Sequence, residues 1–254
     1  MQKFLFNNQV RLLMTNVKMG DFNPLSENFM DRLNPVLDRL EATSCVSPAS
    51  DFTNNIYIDT DISGERFMRS PDYADAVITK NHQRALMIAT ADCFSGVIFD
   101  PKKMGLALVH LGLRNIYRED GSPSTLEKVV EVMRSKNLLF WFGGGIGNCC
   151  YGFEDEKLLS KLRRRYGNLS VSDIVQKGPR KGFYAVDLHN IIFDEAIRLK
   201  LEICTDRMTD LCTSCYAHPN PNGEGFGHFF SNVRDPEAKS GKLRPRNGVF
   251  VMMR

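Results

Sequence analysis

Apolar positions along the chain follow a helical rhythm in some stretches and a strand rhythm in others. Between residues 26 and 40, Phe29, Leu33, Leu37 and Leu40 recur at helical spacing; this predicts a surface helix capped by Ser26, with Pro35 kinking it or starting a second turn. From Asn55 the apolar runs become short and strand-like: residues 56–58, 76–78, 86–89, 96–99 and 106–109. The last two flank Asp100-Pro101-Lys102-Lys103, which predicts a hairpin. Ser124-Thr125-Leu126-Glu127 is a capping box, and Leu126, Val129, Val130 and Met133 continue it as one apolar stripe. Residues 138–142 read as a buried strand that leaves through the glycine run 143–147.

Glu154-Asp155-Glu156 then open a helix that Arg163-Arg164-Arg165 close before Gly167, the charge order a helix dipole favours. The three arginines are read as a solvated helix end. Asp187 caps a further helix with Leu188, Ile191, Ile192, Ala196 and Leu199 on its apolar face. An irregular stretch at 217–227 precedes a final strand at 248–253. With no fixed-period repeat and no dividing linker, residues 1–254 are expected to form a single domain of mixed α and β.

Composition narrows the function only by exclusion. The 254 residues carry a net charge of +3, with 43% hydrophobic and 25% charged positions, so disorder and low complexity are ruled out. A pI of 8.4 falls below the value of about 9 that marks a nucleic-acid footprint. Apolar runs never reach the roughly 18 residues of a membrane span, and residues 1–14 are interrupted by Lys3, Asn7, Asn8, Gln9 and Arg11. Seven cysteines, an odd number with no secretory signal ahead of them, suggest reduced thiols and a cytoplasmic protein with no membrane or nucleic-acid partner.

Several motifs fail on inspection. The glycine run lacks the third position of a dinucleotide fingerprint and reads instead as a tight turn or a set of backbone amides facing a site. A zinc deaminase needs His-x-Glu, yet the residues two after the five histidines are Arg84, Gly112, Ile191, Asn220 and Phe230. Cys212-Thr213-Ser214-Cys215 stands as a single pair whose following histidines, His218 and His228, match no common finger, so a packed pair is expected. Cys149-Cys150 is read as core filler behind the glycine turn.

Chemistry concentrates at two strand ends. Cys93 follows the run ending at Ala89, and His110 ends the run that starts at Leu106; the expected hairpin would bring them together. A thiol beside an imidazole is either a nucleophile with its base or two ligands of one metal. Arg114, four residues past His110, could bring a fixed cation to an anionic group, or could simply pair with Glu119 or Asp120 at the surface.

These segments resemble the multicopper polyphenol oxidase-like (laccase-domain) family, whose members are also described as purine nucleoside phosphorylases. Thr90-Ala91-Asp92-Cys93 with Asp100-Pro101, then Val109, His110, Gly112 and Arg114, then Ile146, Gly147, Cys149, Cys150 and Tyr151 match its motifs in order. Cys212-Thr213-Ser214-Cys215 and Phe229-Phe230-Ser231-Asn232-Val233-Arg234-Asp235 match its C-terminal pieces.

The resemblance implies an α+β fold of mixed β-sheets layered with helices, and phosphorolysis of purine nucleosides such as adenosine and inosine, with adenosine deamination as a second reaction. Phosphate and nucleoside would then contact Arg114, Gly147, Asn148 and Arg234. It also implies zinc held by one Cys and two His, of which Cys93 and His110 are present. The first histidine belongs to a Gln-x-His-Gly segment, and the corresponding Ser50-Asp51-Phe52-Thr53 has none, leaving Asp51 as the substitute oxygen ligand. Without that metal the same pair would suit a cysteine hydrolase or amidase, or the chain would be an inactive relative serving as a binding protein.

Overall fold

The computed structural model describes residues 2–60, 64–175, 181–205, 212–214, 229–231 and 244–254. In chain order, β1 (Gln2–Leu5) and β2 (Val10–Met14) form a hairpin and α1 (Phe29–Leu40) follows. Next come β3 (Ser44–Ala49), β4 (Ile56–Ile58), β5 (Phe67–Tyr73), β6 (Ala76–Thr79), β7 (Arg84–Thr90), β8 (Phe94–Asp100) and β9 (Gly105–Leu111). The second half supplies α2 (Leu113–Ile116), α3 (Thr125–Met133), β10 (Leu139–Gly143), β11 (Gly152–Phe153), α4 (Glu156–Tyr166), β12 (Val171–Ile174), β13 (Tyr184–Val186), α5 (Leu188–Arg198), β14 (Glu202–Ile203) and β15 (Asn247–Met253).

One six-stranded sheet runs β1-β2-β15-β7-β3-β5, a second runs β14-β10-β8-β9-β6-β4, and β11-β13-β12 make a small third sheet. The two large sheets face each other. Leu12, Leu86, Ile88, Val249 and Val251 of the first meet Val97, Phe99, Leu106, Leu108 and Trp141 of the second. The alternate residues of the first sheet, Leu13, Met87 and Phe250 among them, pack on Phe29, Leu33, Leu37 and Leu40 of α1. Those of the second, including Ile98, Val109, Phe140 and Phe142, pack on Leu126 and Val129 of α3 and Ile191 and Ile192 of α5. The order is helix, sheet, sheet, helix. Because both faces of each sheet are covered, the central strands are apolar throughout rather than alternating, which is why they appear as continuous runs in the sequence.

The expected hairpin is present as β8 and β9, and its turn closes when Asp100 Oδ1 accepts from the amides of Lys102 and Lys103 at 2.9 and 3.0 Å. The capping box forms in both directions, with Glu127 N donating to Ser124 Oγ and Ser124 N to Glu127 Oε2. Asp187 caps α5 by accepting from Asn190 N at 2.9 Å.

Two local expectations change. Ser26 does not cap α1: its hydroxyl donates to Asn23 O at 2.7 Å within the preceding loop, and the helix begins three residues later after Asn28. Pro35 lies inside that helix, which runs on to Leu40. Arg165, in the basic cluster closing α4, is not simply solvated, because it bonds at 2.9 Å the carboxylate of Glu195, which is 1% exposed. The N-terminal hairpin was hidden by Arg11, a charged residue in a wholly buried strand, whose guanidinium reaches Leu40 O at 2.8 Å and Glu41 at 2.9 Å.

One ion pair spans the sheets. Asp59, just past β4 in the second sheet, meets Arg84 of β7 in the first at 2.9 Å, with side chains 1% and 3% exposed, and also accepts from Thr79 Oγ1 at 2.8 Å. Removing one partner of a buried pair strands the other's charge. Asp59→Ala is expected to lower stability by about 3 kcal/mol, whereas Lys161→Ala, which removes a 2.9 Å surface pair with Glu119, should cost less than about 1 kcal/mol. Urea unfolding of both variants checks this, and equal losses would contradict it.

Candidate functional site

The chain crosses from the first sheet to the second between Thr90 at the end of β7 and Phe94 at the start of β8, through Ala91, Asp92 and Cys93. So short a crossing forces Asp92 to a φ of +84°, a conformation costly for a residue with a Cβ. It is held there from both ends: Ile146 N donates to Asp92 O at 2.7 Å, and Thr213 Oγ1 donates to Asp92 Oδ1 at 3.0 Å. Cys93 emerges next, half-buried.

Ser95 of β8 pairs with His110 of β9, so Cys93 lies beside the point where β9 gives way to Gly112. A Cβ built on Gly112 would stand 2.9 Å from Cys93 Sγ and 2.9 Å from Phe52 Cε1, so only glycine permits this approach. Strand alternation puts His110 on the same face as Leu106 and Leu108, toward the layer between the sheets. It is 6% exposed and hydrogen-bonds Cys93.

The other side of the ring is set by a residue the sequence analysis did not single out. Asp75, fully buried just before β6, holds His110 Nδ1 at 3.0 Å, and its backbone oxygen accepts from His110 N at 2.7 Å. Its carboxylate also accepts from Phe52 N at 3.2 Å and Asn54 N at 3.0 Å, folding the 52–54 loop over the site. Cys93, His110 and Asp75 thus form a continuous chain. Burial pulls the His110 pKa down, but the charge of Cys93 and the bonds to Asp75 and Cys93 outweigh it and push it up to about 9. Burial raises the Asp75 carboxyl, yet the His110 bond and the two loop amides bring it below its ordinary range.

Phe52 stands beside the imidazole. Its ring centroid is 5.1 Å from that of His110, the residue is 37% exposed, and the Arg114 guanidinium lies 5.8 Å from the ring centre. Arg114 is exposed on α2, and among the described residues it forms no ion pair, since Glu119 bonds Lys161 and Asp120 bonds Arg118. Arg246 is a second cation that sequence reasoning missed: burial lowers its pKa, while the charges of Cys93 and Asp92 act the other way.

The remaining expected residues scatter. Asn148 donates from Nδ2 to Asp187 Oδ2 at 3.0 Å, and Gly147 packs against Cys149 and Cys212. Asp51 is exposed. Arg234, Cys215, His218 and His228 lie outside the described residues. The thiols of Cys149, Cys150 and Cys212 come within 4.8 Å of one another, a group able to hold a metal ion, so the two cysteine motifs read separately as a packed pair and core filler meet in space.

A layered sheet pair carrying a cysteine and a histidine where the chain crosses between sheets defines the class. The chain belongs to the multi-copper polyphenol oxidoreductase laccase family, whose model matches residues 40–244. No curated protein matches it. Among solved structures it resembles the Bacillus licheniformis hypothetical protein YfiH, with 18% identity, TM-score 0.72, and 97% of this chain and 94% of that one covered. Neisseria meningitidis protein NMB0706 gives 16% identity, TM-score 0.67, and 96% and 94% coverage. YlmD from Geobacillus stearothermophilus gives 18%, 0.63, and 96% and 91%. At these identities the likeness concerns the fold. No helix among the described residues is long and apolar enough to cross a membrane.

The zinc site that the family resemblance implies does not fit the residues at Cys93. Catalytic zinc normally keeps three protein ligands. Here the apolar Phe52 stands in the motif position of the missing histidine, and Asp51 forms no ligand group with Cys93 and His110 among the described residues, so Cys93 and the Nε2 of His110, whose Nδ1 Asp75 holds, are two ligands where three are needed.

Two outcomes follow. Phe52→His should supply the absent ligand and raise zinc content by up to one ion per chain above the wild type, a gain lost again when Cys93→Ala is added; elemental analysis of the three proteins side by side reads this, and an unchanged metal content would show that Phe52 does not occupy the ligand position. For Asp75, the lowered pKa means its stabilisation is present above 3.8 and is lost as pH falls below that value. For His110, the raised pKa means stabilisation is complete below 6.5 and is lost as pH rises through about 9. Asp75→Asn should therefore lose about 2 kcal/mol at neutral pH, with the deficit shrinking toward both extremes. A deficit independent of pH in denaturant titrations would contradict the charge assignment.

Proposed function

We propose that the chain cleaves purine nucleosides by phosphorolysis, without a metal at the reacting centre. The observation that carries this reading is the Asp75, His110, Cys93 chain, which keeps a proton available beside the partly exposed ring of Phe52 and the Arg114 guanidinium. Family membership supports the substrate class. The exposed ring of Phe52 suits stacking of a purine, and Arg114 and Arg246 suit phosphate. A phosphate oxygen forms its bond to ribose C1′ as the bond from C1′ to purine nitrogen breaks, and the electron pair leaves with the base. The proton shared by His110 and Cys93 passes to that base, giving free purine and ribose 1-phosphate, and solvent restores the proton. Cys45, Cys93 and Cys204, which are thiols and not disulfides, suit a reducing compartment such as the cytoplasm.

The same three residues favour a second reading, a cysteine hydrolase or amidase. There His110 takes the Cys93 proton, the thiolate attacks a carbonyl carbon, and Asp75 fixes the imidazole tautomer. The two differ in phosphate dependence and in the presence of a covalent acyl intermediate.

Inosine and adenosine with phosphate, followed by chromatography, test the first reading. Release of free base and ribose 1-phosphate should fall at least a hundredfold in Cys93→Ala and in His110→Gln. Arg114→Lys should raise the phosphate requirement roughly tenfold to a hundredfold, because lysine offers a point charge in place of a bidentate fork. Turnover equal in wild type and Cys93→Ala would remove the site from the reaction. A mass adduct on Cys93 with amide substrates, and no phosphate dependence, would establish the second reading instead.

A further inference from the structure

The glycine run after β10 brings a second group of reactive side chains together behind the site. Cys149 and Cys150 lie in the turn that follows Gly147, with Cys150 N donating to Gly147 O at 3.0 Å. Cys212 arrives from far along the chain and pairs in parallel with Gly145 through a single β-bridge. The three sulfurs lie within 4.8 Å of one another, and among the described residues they are the one group of three or more potential ligands so placed. Gly147 makes this approach possible. A Cβ there would stand 3.2 Å from Cys212 Cβ and 3.3 Å from Cys149 Sγ.

Three converging thiols select a soft ion. Hard cations such as Mg²⁺ and Ca²⁺ take oxygen donors, whereas thiolates suit Zn²⁺, which accepts four ligands in tetrahedral array. Cys150 is 2% exposed while Cys149 and Cys212 are half-buried, so a fourth position remains open to water on their side.

The group is also wired to the Cys93 turn. Thr213, next to Cys212, donates from its amide to Gly145 O at 2.9 Å and from its hydroxyl to Asp92 Oδ1 at 3.0 Å, and Ile146 N holds Asp92 O at 2.7 Å. Both segments that meet at the thiols are therefore the segments that hold Asp92 in its left-handed conformation. We propose that Cys149, Cys150 and Cys212 bind one Zn²⁺ ion, with water as the fourth ligand, at a centre distinct from the family's Cys93 and His110 position, and that this ion positions Cys93 by fastening the 212–214 segment to the turn after β10. Each thiol that ligates the ion gives up its proton as the metal–sulfur bond forms.

The test uses the full chain, prepared under reducing conditions without a histidine tag, and is independent of which reaction Cys93 performs. Zinc titration should load one equivalent, and Co²⁺ in its place should show thiolate charge-transfer absorption. Cys150→Ser and Cys212→Ser should each weaken loading at least tenfold, while Cys93→Ser and Cys45→Ser should leave it intact. Stripping the metal from the wild type with a chelator should change the alkylation rate of Cys93 by iodoacetamide at least threefold, read by peptide mass mapping, and zinc should restore it. That wild-type experiment stands even if a cysteine variant fails to fold. Absence of metal binding by the reduced wild type, a disulfide among the three cysteines in its place, loading that survives Cys212→Ser, loading lost in Cys93→Ser, or a Cys93 rate indifferent to metal would each overturn the proposal.

Discussion

The chain has only three residues in which to pass from one large sheet to the other, and the site follows from that constraint. A longer connection would let Asp92 relax and would leave Cys93 in a loop. The short one requires a left-handed Asp92, which in turn requires something to hold it. The amide of Ile146 and the hydroxyl of Thr213 supply that hold, so the glycine run and the distant 212–214 segment both become part of the same small region. The hairpin of β8 and β9 then fixes where His110 must be, opposite Ser95, two residues past Cys93.

Electrostatics at the site are governed by burial on one side and opening on the other. Asp75 has no exposure, and its carboxylate accepts from the loop amides of Phe52 and Asn54 and the Thr53 hydroxyl while holding His110. A carboxylate so placed orients the imidazole and at the same time anchors the loop that covers it. Phe52, in the position where the related motif has a histidine, turns what would be a coordination site into an aromatic wall. The chain thus keeps its family's thiol and imidazole while changing what can stand beside them.

Much of this was legible beforehand, and the reasons for the gaps are physical. The strand runs, the β8 and β9 hairpin, the Ser124 and Glu127 box and the meeting of Cys93 with His110 all rest on local periodicity or on turns that neighbours in sequence determine. Asp75 could not be found that way, because nothing near it in sequence marks it; its importance comes from His110, brought in from another strand. Arg246 was hidden for the same reason, and Arg11 concealed a buried strand because its partners, Leu40 and Glu41, belong to the end of α1. The cysteine motifs were each visible but were weighed alone, whereas their meaning depends on the bridge between Gly145 and Cys212.

The position of β15 has a consequence for how the molecule is made. It lies between β2 and β7, pairing with both, and its first residue, Asn247, stands opposite Thr90, the last residue before the crossing to Cys93. Until Asn247–Met253 has left the ribosome, β7 lacks one of its two neighbours and β2 has only its hairpin mate. Contacts of such long sequence separation form slowly, since the entropy of closing the intervening loop must be overcome before they contribute. Cys93 and His110 are therefore synthesised well before the strand that steadies the approach to Cys93, and the thiol reaches its final geometry only once that distant strand has paired.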